Sequence, residues 1–431
     1  MKQGNERKKR KLVKLGAFLV TFLMLFTIFP SVAASTNYYS SDDITYIQAW
    51  EELDGITYYQ LNNIIIEERG MEFAQNYFAA IDALYAFVTA LPQTRAGDTI
   101  FPSDFGGAYI DDDGNAVLLM VSQPFSRVQT AESLVQLQRA DSVLVREVLF
   151  SYSYLWGLID SLNSFSYSDP DTLVDIGVKG WYLDVINNNV GVQLTNITND
   201  AIDAFMSNVI NSAAIVFEQH IGYNTANSGT LGGRLRVYRN GAYIGSSSIG
   251  FRASLGGVRG FITTAHADAA GGRLRLDDQF RVLGIANPIG SIVSATHVAL
   301  DGADAAFVTL NAGFEIPNSI ENTPVTSSHV PHIFVGQYVF SVGFASGARA
   351  GVVTRIGYRA LLRVPGHPTF TILNTIRTSY SGRIGDSGGI VVTNGASPLQ
   401  VIGIHLGIHN EGGSITSNFN EINRWLGTSL R

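Results

Sequence analysis

Residues 381–392 read Ser-Gly-Arg-Ile-Gly-Asp-Ser-Gly-Gly-Ile-Val-Val, a glycine-rich turn that runs directly into an apolar strand. No other stretch constrains the fold as tightly, because such a turn has to be carried at the edge of a rigid sheet with Ser387 near its apex. Glycines at 385, 388 and 389 allow the main chain to pass close to a bound group. A serine so placed, with N–H groups of its own turn converging on one point, has what a nucleophile needs: an exposed oxygen and donors for the oxyanion it creates.

Two further stretches supply partners for Ser387. Gly260-Phe261-Ile262-Thr263-Thr264-Ala265-His266-Ala267 is an apolar strand that ends in a histidine, and Asp304 opens the apolar run Ala305-Ala306-Phe307-Val308-Thr309-Leu310. The chain order is therefore His, Asp, Ser, the order of the chymotrypsin triad. Gly385-Asp386-Ser387-Gly388-Gly389 also satisfies the G-x-S-x-G pattern of α/β-hydrolases, in which an acid and then a histidine follow the serine. No Asp follows Ser387, and Glu411 and Glu421 both come after the last histidine, His409, so that reading fails.

At these residues the chain resembles the chymotrypsin-like serine endopeptidases, in particular the secreted bacterial branch of α-lytic protease, the streptogrisins and the glutamyl endopeptidases. The resemblance covers roughly residues 230–431. It implies a mostly β module of two antiparallel six-stranded β-barrels with a C-terminal helix. Local patterning permits this: Leu235 to Ile244 folds about Asn240-Gly241, Val391 to Ile404 about Asn394-Gly395, and Tyr338–Phe344 and Gly351–Ile356 read as further strands. Asn418–Leu426 reads as the one helix of this region. Periodicity alone would equally allow a sandwich.

Upstream the chain changes character. Lys2, Arg7, Lys8, Lys9, Arg10, Lys11 and Lys14 precede the uncharged run Leu15–Phe29, then Pro30 and Ser31-Val32-Ala33-Ala34-Ser35. This is the pattern of a signal peptide, taken as residues 1–34, and its apolar run is shorter than the roughly 20 residues of a spanning helix. Secretion is expected, with membrane contact only through that peptide. Residues 35–223 combine helices, read over Met71–Leu91, as one or two more over Gln129–Leu162 and from Asp200 to about Phe217, with two related hairpin units. Gly107-Ala108-Tyr109-Ile110-Asp111 with the strand Val117–Val121 is echoed by Gly180-Trp181-Tyr182-Leu183-Asp184 with the strand Val190–Leu194. The acidic turn Asp111-Asp112-Asp113 lacks the ligand spacing of a calcium loop. This α+β segment resembles the folding-assistant propeptides of the α-lytic type, which implies a template and inhibitor that is later removed. The polar stretch 220–230 suits cleavage, so the protease module is taken as 224–431.

By resemblance, Ser387 is the nucleophile, His266 the general base and Asp304 the residue that orients it, with the N–H groups of Gly385 and Ser387 as oxyanion hole. Asp301, Asp268, Asp277 and Asp278 are the competing acids; only Asp304 begins a strand like the family's aspartate strand. Asp386 is expected in a buried ion pair, with Arg383 as a candidate partner. Ala267 stands where the family usually has cysteine, consistent with a chain that contains none. Ser381, Gly382, His405 and Gly407 are assigned to substrate binding: the resemblance puts the substrate-pairing strand at Val401–Gly407, where an extended peptide would add by main-chain hydrogen bonds, with Ser381 and Gly382 on the approach to the serine turn. Gly403-Ile404-His405 resembles the glutamyl endopeptidases, where a histidine here meets the substrate carboxylate. The nucleophile turn departs from that subgroup's Ser-Gly-Ser, so preference for Glu or for apolar residues stays open. No metal or cofactor is implied. The expected partners are peptide and protein substrates and the chain's own propeptide, acting on a monomer; a net charge of −7 argues against nucleic acid. The alternative is a protease-fold binding module without activity.

Overall fold

In the computed structural model the chain is described at residues 45–46, 58–94, 99–122, 143–221, 224–226, 235–268, 274–282, 287–295, 303–316, 319–320, 323–330, 332–363, 369–393, 399–409 and 412–430. The expected signal peptide, Asp301 and the Asn394-Gly395 turn lie outside these residues. Among the described residues, no helix is long and apolar enough to cross a membrane.

The N-terminal segment opens with helices α1 (Tyr58–Arg69) and α2 (Met71–Thr89). In α2, Phe73, Tyr77, Ile81, Leu84 and Val88 recur every three to four residues and are buried, the pattern of a helix with one apolar face. Two small sheets follow, connected alike. Strand β1 (Phe105–Ile110) runs antiparallel to β2 (Ala116–Val121), which runs parallel to β3 (Val143–Val148). Helices α3 (Tyr152–Ser168) and α4 (Pro170–Ile176) lead into the second sheet. There β4 (Val178–Asp184) is antiparallel to β5 (Asn189–Leu194), and β5 is parallel to β6 (Ile215–Gln219), with α5 (Asn199–Asn208) between them. Asp111 Oδ1 accepts the main-chain N–H groups of Asp113 and Asn115 at 3.0 and 2.8 Å, closing the first hairpin turn.

Two expected helices end differently from their reading. Val143–Val148, inside the span read as helical from Gln129 to Leu162, is a strand, and the helix starts only at Tyr152, where Ser151 Oγ accepts the N–H of Tyr154. The helix from Asp200 stops at Asn208, and Ile215–Phe217 pairs with Val190–Val192. In both places a parallel partner far along the chain overrides local propensity.

From Leu235 onward strands dominate. The first sheet contains β8 (Leu235–Arg239), β9 (Ala242–Ser247), β10 (Arg252–Leu255), β11 (Val258–Thr263), β12 (Gln279–Val282), β13 (Gly290–Ala295) and β14 (Ala306–Leu310). It runs in the order β9-β8-β12-β13-β14-β11-β10 and ends on the strand Ser429–Leu430. Among the described residues it does not close on itself. The second sheet contains β15 (Tyr338–Gly343), β16 (Gly347–Arg363), β17 (Phe370–Thr378), β18 (Ile390–Thr393), β19 (Leu399–His409) and β20 (Ser414–Asn418). Its pairings close into a ring, β15-β16-β17-β20-β19-β18 and back to β15. Helix α6 (Phe419–Leu426) follows, capped by Asn418 Oδ1 and buried through Phe419, Ile422 and Leu426.

Thr45–Arg431 form one compact unit, and one main-chain pairing carries the second sheet into the N-terminal segment. Ile356 of β16 lies antiparallel to Leu183 of β4. Around it, Trp181 is buried with its indole N–H on Asn163 Oδ1 at 2.9 Å, and the Arg359 guanidinium lies 4.8 Å over its ring. Arg355 stacks at 3.8 Å over Tyr182 and pairs with Glu218 at 3.3 Å, while Tyr182 donates its hydroxyl to the same carboxylate. Removing a buried indole leaves a cavity and an unmatched amide, which in cores costs about 3–5 kcal/mol. The variant Trp181→Ala is expected to lose that much stability in urea unfolding. A midpoint equal to the parent's would show that this contact does not hold the two parts together.

Candidate active site

The three residues picked from the sequence come together where the two sheets meet. Strand β11 ends at Thr263, and the next turns place His266 over the start of β14, where Asp304 sits. Ser387 comes from the other sheet, in the turn that enters β18. All three side chains are buried. His266 Nδ1 donates to Asp304 Oδ2, and His266 Nε2 lies 3.0 Å from Ser387 Oγ. The Asp304 contact keeps the ring proton on Nδ1 and leaves Nε2 as the acceptor facing the serine.

A fully buried carboxylate is costly unless its lone pairs are filled. Asp304 Oδ1 accepts the N–H of Ala265 at 3.0 Å, and Oδ2 accepts the hydroxyl of Thr264 at 3.0 Å in addition to the imidazole. Sequence reasoning missed Thr264, although a hydroxyl two residues before a strand-ending histidine is a signal that could have found it. Serines 247 and 248, at the end of β9, were missed as well. They tie the serine turn to the first sheet: the N–H of Ser248 and Oγ of Ser247 donate to the Ser387 carbonyl at 2.7 and 2.9 Å, and Oγ of Ser248 donates to that of Gly385 at 2.7 Å.

The turn itself needs its glycines. Gly385 has φ of 105°, a conformation open to glycine and strained for other residues. A Cβ on Gly388 would lie 2.4 Å from Thr263 Oγ1 and 2.6 Å from Ser247 Oγ, so the loop could not dock on the first sheet. In this conformation the N–H groups of Asp386, Gly388 and Gly389 are taken by the carbonyls of Arg383, His405 and Asp386. Among the described residues, those of Gly385 and Ser387 donate to no protein acceptor. The Ser387 hydroxyl also lies 2.9 Å from the Leu406 carbonyl.

Asp386 corrects an expectation. Its carboxylate is buried, but the Arg383 side chain is exposed and only its main-chain N–H reaches the acid, at 2.7 Å. The other oxygen accepts the N–H groups of Ala345 and Ser346, both at 2.9 Å. Three main-chain donors therefore replace the expected ion pair. The competing acids are placed elsewhere: Asp268 and Asp278 pair with Arg239 at 2.9 and 2.7 Å, and Asp277 is exposed. Among the described residues, no group of three or more metal-ligating side chains converges.

Of the residues assigned to substrate binding, Ser381 is exposed, whereas Gly382, His405 and Gly407 are buried beside the serine turn. The N–H of Gly382 donates to Ser414 Oγ at 3.2 Å, and a Cβ on Gly382 would lie 2.6–2.7 Å from the His405 ring. On the other side of β19, strand β7 (Asn224–Ala226) runs antiparallel to it, with Ala226 opposite Gly407, Thr225 opposite Ile408 and Asn224 opposite His409. The edge expected to bind an extended peptide thus carries a strand of the chain itself.

The chain is similar to bacterial serine proteases over about half its length. Among solved structures it is 26% identical to the Nocardiopsis protease, covering 47% of this chain and 98% of that one with a TM-score of 0.34. It is 25% identical to the Cellulomonas bogoriensis chymotrypsin over 47% and 98% of the two chains, again with a TM-score of 0.34. A glutamic acid specific serine protease that uses a histidine triad in substrate binding is 20% identical over 46% and 97%, TM-score 0.34. Within the N-terminal segment, residues 153–220 match a family model described as a Pro-like C-terminal domain.

Three histidines are held neutral by their surroundings. His405 is pushed down to about 4 by burial, with the nearby His266 lowering it further and Asp386 opposing. His409 falls to about 4 through burial and the Arg377 guanidinium, 3.2 Å from its Nδ1. Burial alone brings His332 to about 4, in a box of Phe101, Tyr152 and Phe334.

Two outcomes follow from this geometry. An unfolded histidine titrates near 6.5, so the folded chain binds fewer protons than the unfolded one between about pH 6.5 and 4. Stability is fully present above about 6.5 and is lost as pH falls toward 4; the urea midpoint of Ser387→Ala protein should be lower at pH 5 than at pH 7, and an unchanged or higher midpoint contradicts it. The Asp386→Ala chain leaves three main-chain N–H groups without their acceptor, at about 1–3 kcal/mol each if they stay buried. It should unfold at least about 3 kcal/mol more easily, and wild-type stability would show that water replaces the carboxylate.

Proposed function

We propose that this chain is the precursor of a secreted serine endopeptidase that cleaves peptide bonds through Ser387, His266 and Asp304. The observation that carries the reading is the continuous hydrogen-bonded line from Asp304 through the His266 ring to Ser387, made by residues from two sheets. In the first half-reaction Ser387 Oγ attacks the peptide carbonyl carbon while His266 Nε2 takes the hydroxyl proton. The tetrahedral oxyanion is met by the N–H groups of Gly385 and Ser387, each donor worth about 3 kcal/mol of transition-state stabilisation in comparable sites. His266 then gives its proton to the departing amine, leaving an acyl-Ser387 ester. Water, deprotonated by the same nitrogen, hydrolyses the ester and restores the hydroxyl. Asp304 stays ionised throughout and stabilises the imidazolium.

In this reading residues 1–34 direct export and 35–223 are a propeptide that assists folding and blocks the site until removed. Support for the segment's role is the match of residues 153–220 to a Pro-like domain; strand β7, which lies on the Gly407–His409 edge, belongs to residues 224–431 and stays with them. The two strand groups of residues 224–431 are read as the two barrels of a chymotrypsin-like monomer. His405 sets a preference for glutamate before the scissile bond, with Gly382, Gly407 and Ser381 around it.

The test compares intact mass and N-terminal sequence of wild-type and Ser387→Ala proteins after folding. Wild type should lose roughly its first 220 residues while the Ser387→Ala chain stays full length, and a serine-reactive phosphonate should label only the former. Absence of both cleavage and labelling in folded wild type would replace the protease with an inactive binding module.

A further inference from the structure

Residues 332–338, which lead into β15, seat the N-terminal segment independently of the β4–β16 pairing. The N–H of Ile110, at the end of β1, donates to the Val335 carbonyl at 2.9 Å. The N–H of Tyr338 donates to the Tyr77 hydroxyl of α2 at 3.0 Å, and Gln337 Nε2 donates to the hydroxyl of Tyr85 on the same helix. Between them, a Cβ on Gly336 would lie 2.2 Å from the Ile110 carbonyl oxygen, so the two main chains meet there with no room for a side chain. His332 opens this strip. Its ring is boxed by Phe101, Tyr152 and Phe334 at centroid distances of 5.2, 5.5 and 4.8 Å. Two of those three rings belong to the N-terminal segment.

The proton order in the box follows from its donors and acceptors. His332 Nε2 lies 3.1 Å from the Tyr152 hydroxyl, at the start of α3. The Trp156 side chain bonds the same hydroxyl, and an indole N–H can only donate. The phenol oxygen is therefore the acceptor for Trp156, and its single proton goes to a bare His332 Nε2. Burial pushes the titration of the Tyr152 hydroxyl up, so that proton stays in place. A second proton on the imidazole would set N–H against O–H, and the phenol would lose its acceptor. Nothing nearby compensates a charge. The loop that carries Phe101 also carries the buried Asp104, and the far end of the strip carries Tyr338, which Arg69 and Glu68 influence. Among the described residues none of these charges acts on the His332 ring, and ring faces, which attract cations, are outweighed by burial, which brings it to about 4.

We infer that residues 332–338 form an acid-labile latch for the chain's own N-terminal segment, with His332 as the group whose protonation opens it. The latch itself rests on the contacts of this strip; that its opening frees the protease rests on the reading of residues 35–223 as a removable propeptide. Undocked and exposed, a histidine titrates near 6.5. The docked form therefore binds fewer protons between about pH 6.5 and 4, so docking is at full strength above about 6.5 and weakens as pH falls toward 4. With these two values the latch weakens about twentyfold from pH 7 to pH 5.

Amide exchange in full-length Ser387→Ala protein reads the strip without catalysis. After correction for intrinsic rates, protection of the Ile110 and Tyr338 amides should fall about twentyfold further between pH 7 and pH 5 in this parent than in its His332→Phe variant. Phenylalanine keeps a ring in the box and takes no proton. Adding Tyr152→Phe removes the hydroxyl left without an acceptor and should give the same result as His332→Phe alone. A fall of equal size in the parent and both variants means that His332 only packs, and overturns the inference. At pH 5 the strip amides should also exchange at least about tenfold faster than that of Phe307, buried in β14; equal protection would mean that the strip opens only with the whole fold and is no latch. In cleaved wild type the N-terminal segment should co-elute with the protease at pH 7 and separate at pH 5, and co-elution at both values refutes release by acid. Failure of the protease reading is distinct from either result, because it shows as wild type that stays full length while the exchange of the Ser387→Ala protein is unaffected.

Discussion

Asp304 has no exposed surface, and a carboxylate in that position stays charged only if its oxygens are filled by donors already in place. The N–H of Ala265, the hydroxyl of Thr264 and the ring of His266 do this, and all three come from one short stretch after β11. Strand β11 pairs with β14 through Thr263 and Ala306, so the acid and its donors are brought together by the register of two neighbouring strands. Once Nδ1 is committed to the carboxylate, the direction of Nε2 is no longer free, and only the serine turn has to be brought to it.

That last step needs the second sheet to dock on the first. The carbonyls of Gly385 and Ser387 receive their hydrogen bonds from Ser247 and Ser248, while Asp386 ties the same turn to Ala345 and Ser346 of its own sheet. The turn is thus held from both sides, and among the described residues its N–H groups are sorted between structure and the pair at Gly385 and Ser387, which meets no protein acceptor. The N-terminal segment extends this order outward. A paired β16 edge is covered by β4, with Arg355 and Arg359 lying over Tyr182 and Trp181. Burial lowers Arg359 to about 10, so the coverage is deep enough to dry a guanidinium.

The residues whose meaning is local were readable in the sequence. The Gly-Asp-Ser-Gly-Gly turn, a histidine ending one apolar strand and an aspartate opening another announce themselves through spacing and polarity, and α2, the 240–241 hairpin and α6 do so through period and caps. Residues whose meaning depends on distant strands were not. Val143–Val148 and Ile215–Gln219 become strands because parallel partners lie 27 and 25 residues upstream in register. Thr264, Ser247 and Ser248 acquire roles only when the sheets close. Asp386 shows the same limit from the other side: its nearest basic residue was the plausible partner, yet the fold supplies main-chain donors 40 and 41 residues away.

The Ser387 hydroxyl links the edge of β19 to the His266 ring. Its single proton has two acceptors within reach, His266 Nε2 at 3.0 Å and the Leu406 carbonyl at 2.9 Å. Leu406 precedes Gly407, the residue opposite which the chain's own strand β7 ends. A strand that continues along this edge competes for the Leu406 carbonyl with its own N–H groups, because antiparallel pairing is a ladder of such bonds. When that carbonyl is taken, the imidazole is the acceptor left to the hydroxyl. Occupation of the edge and the choice of acceptor for the serine proton are then two sides of one exchange of hydrogen bonds.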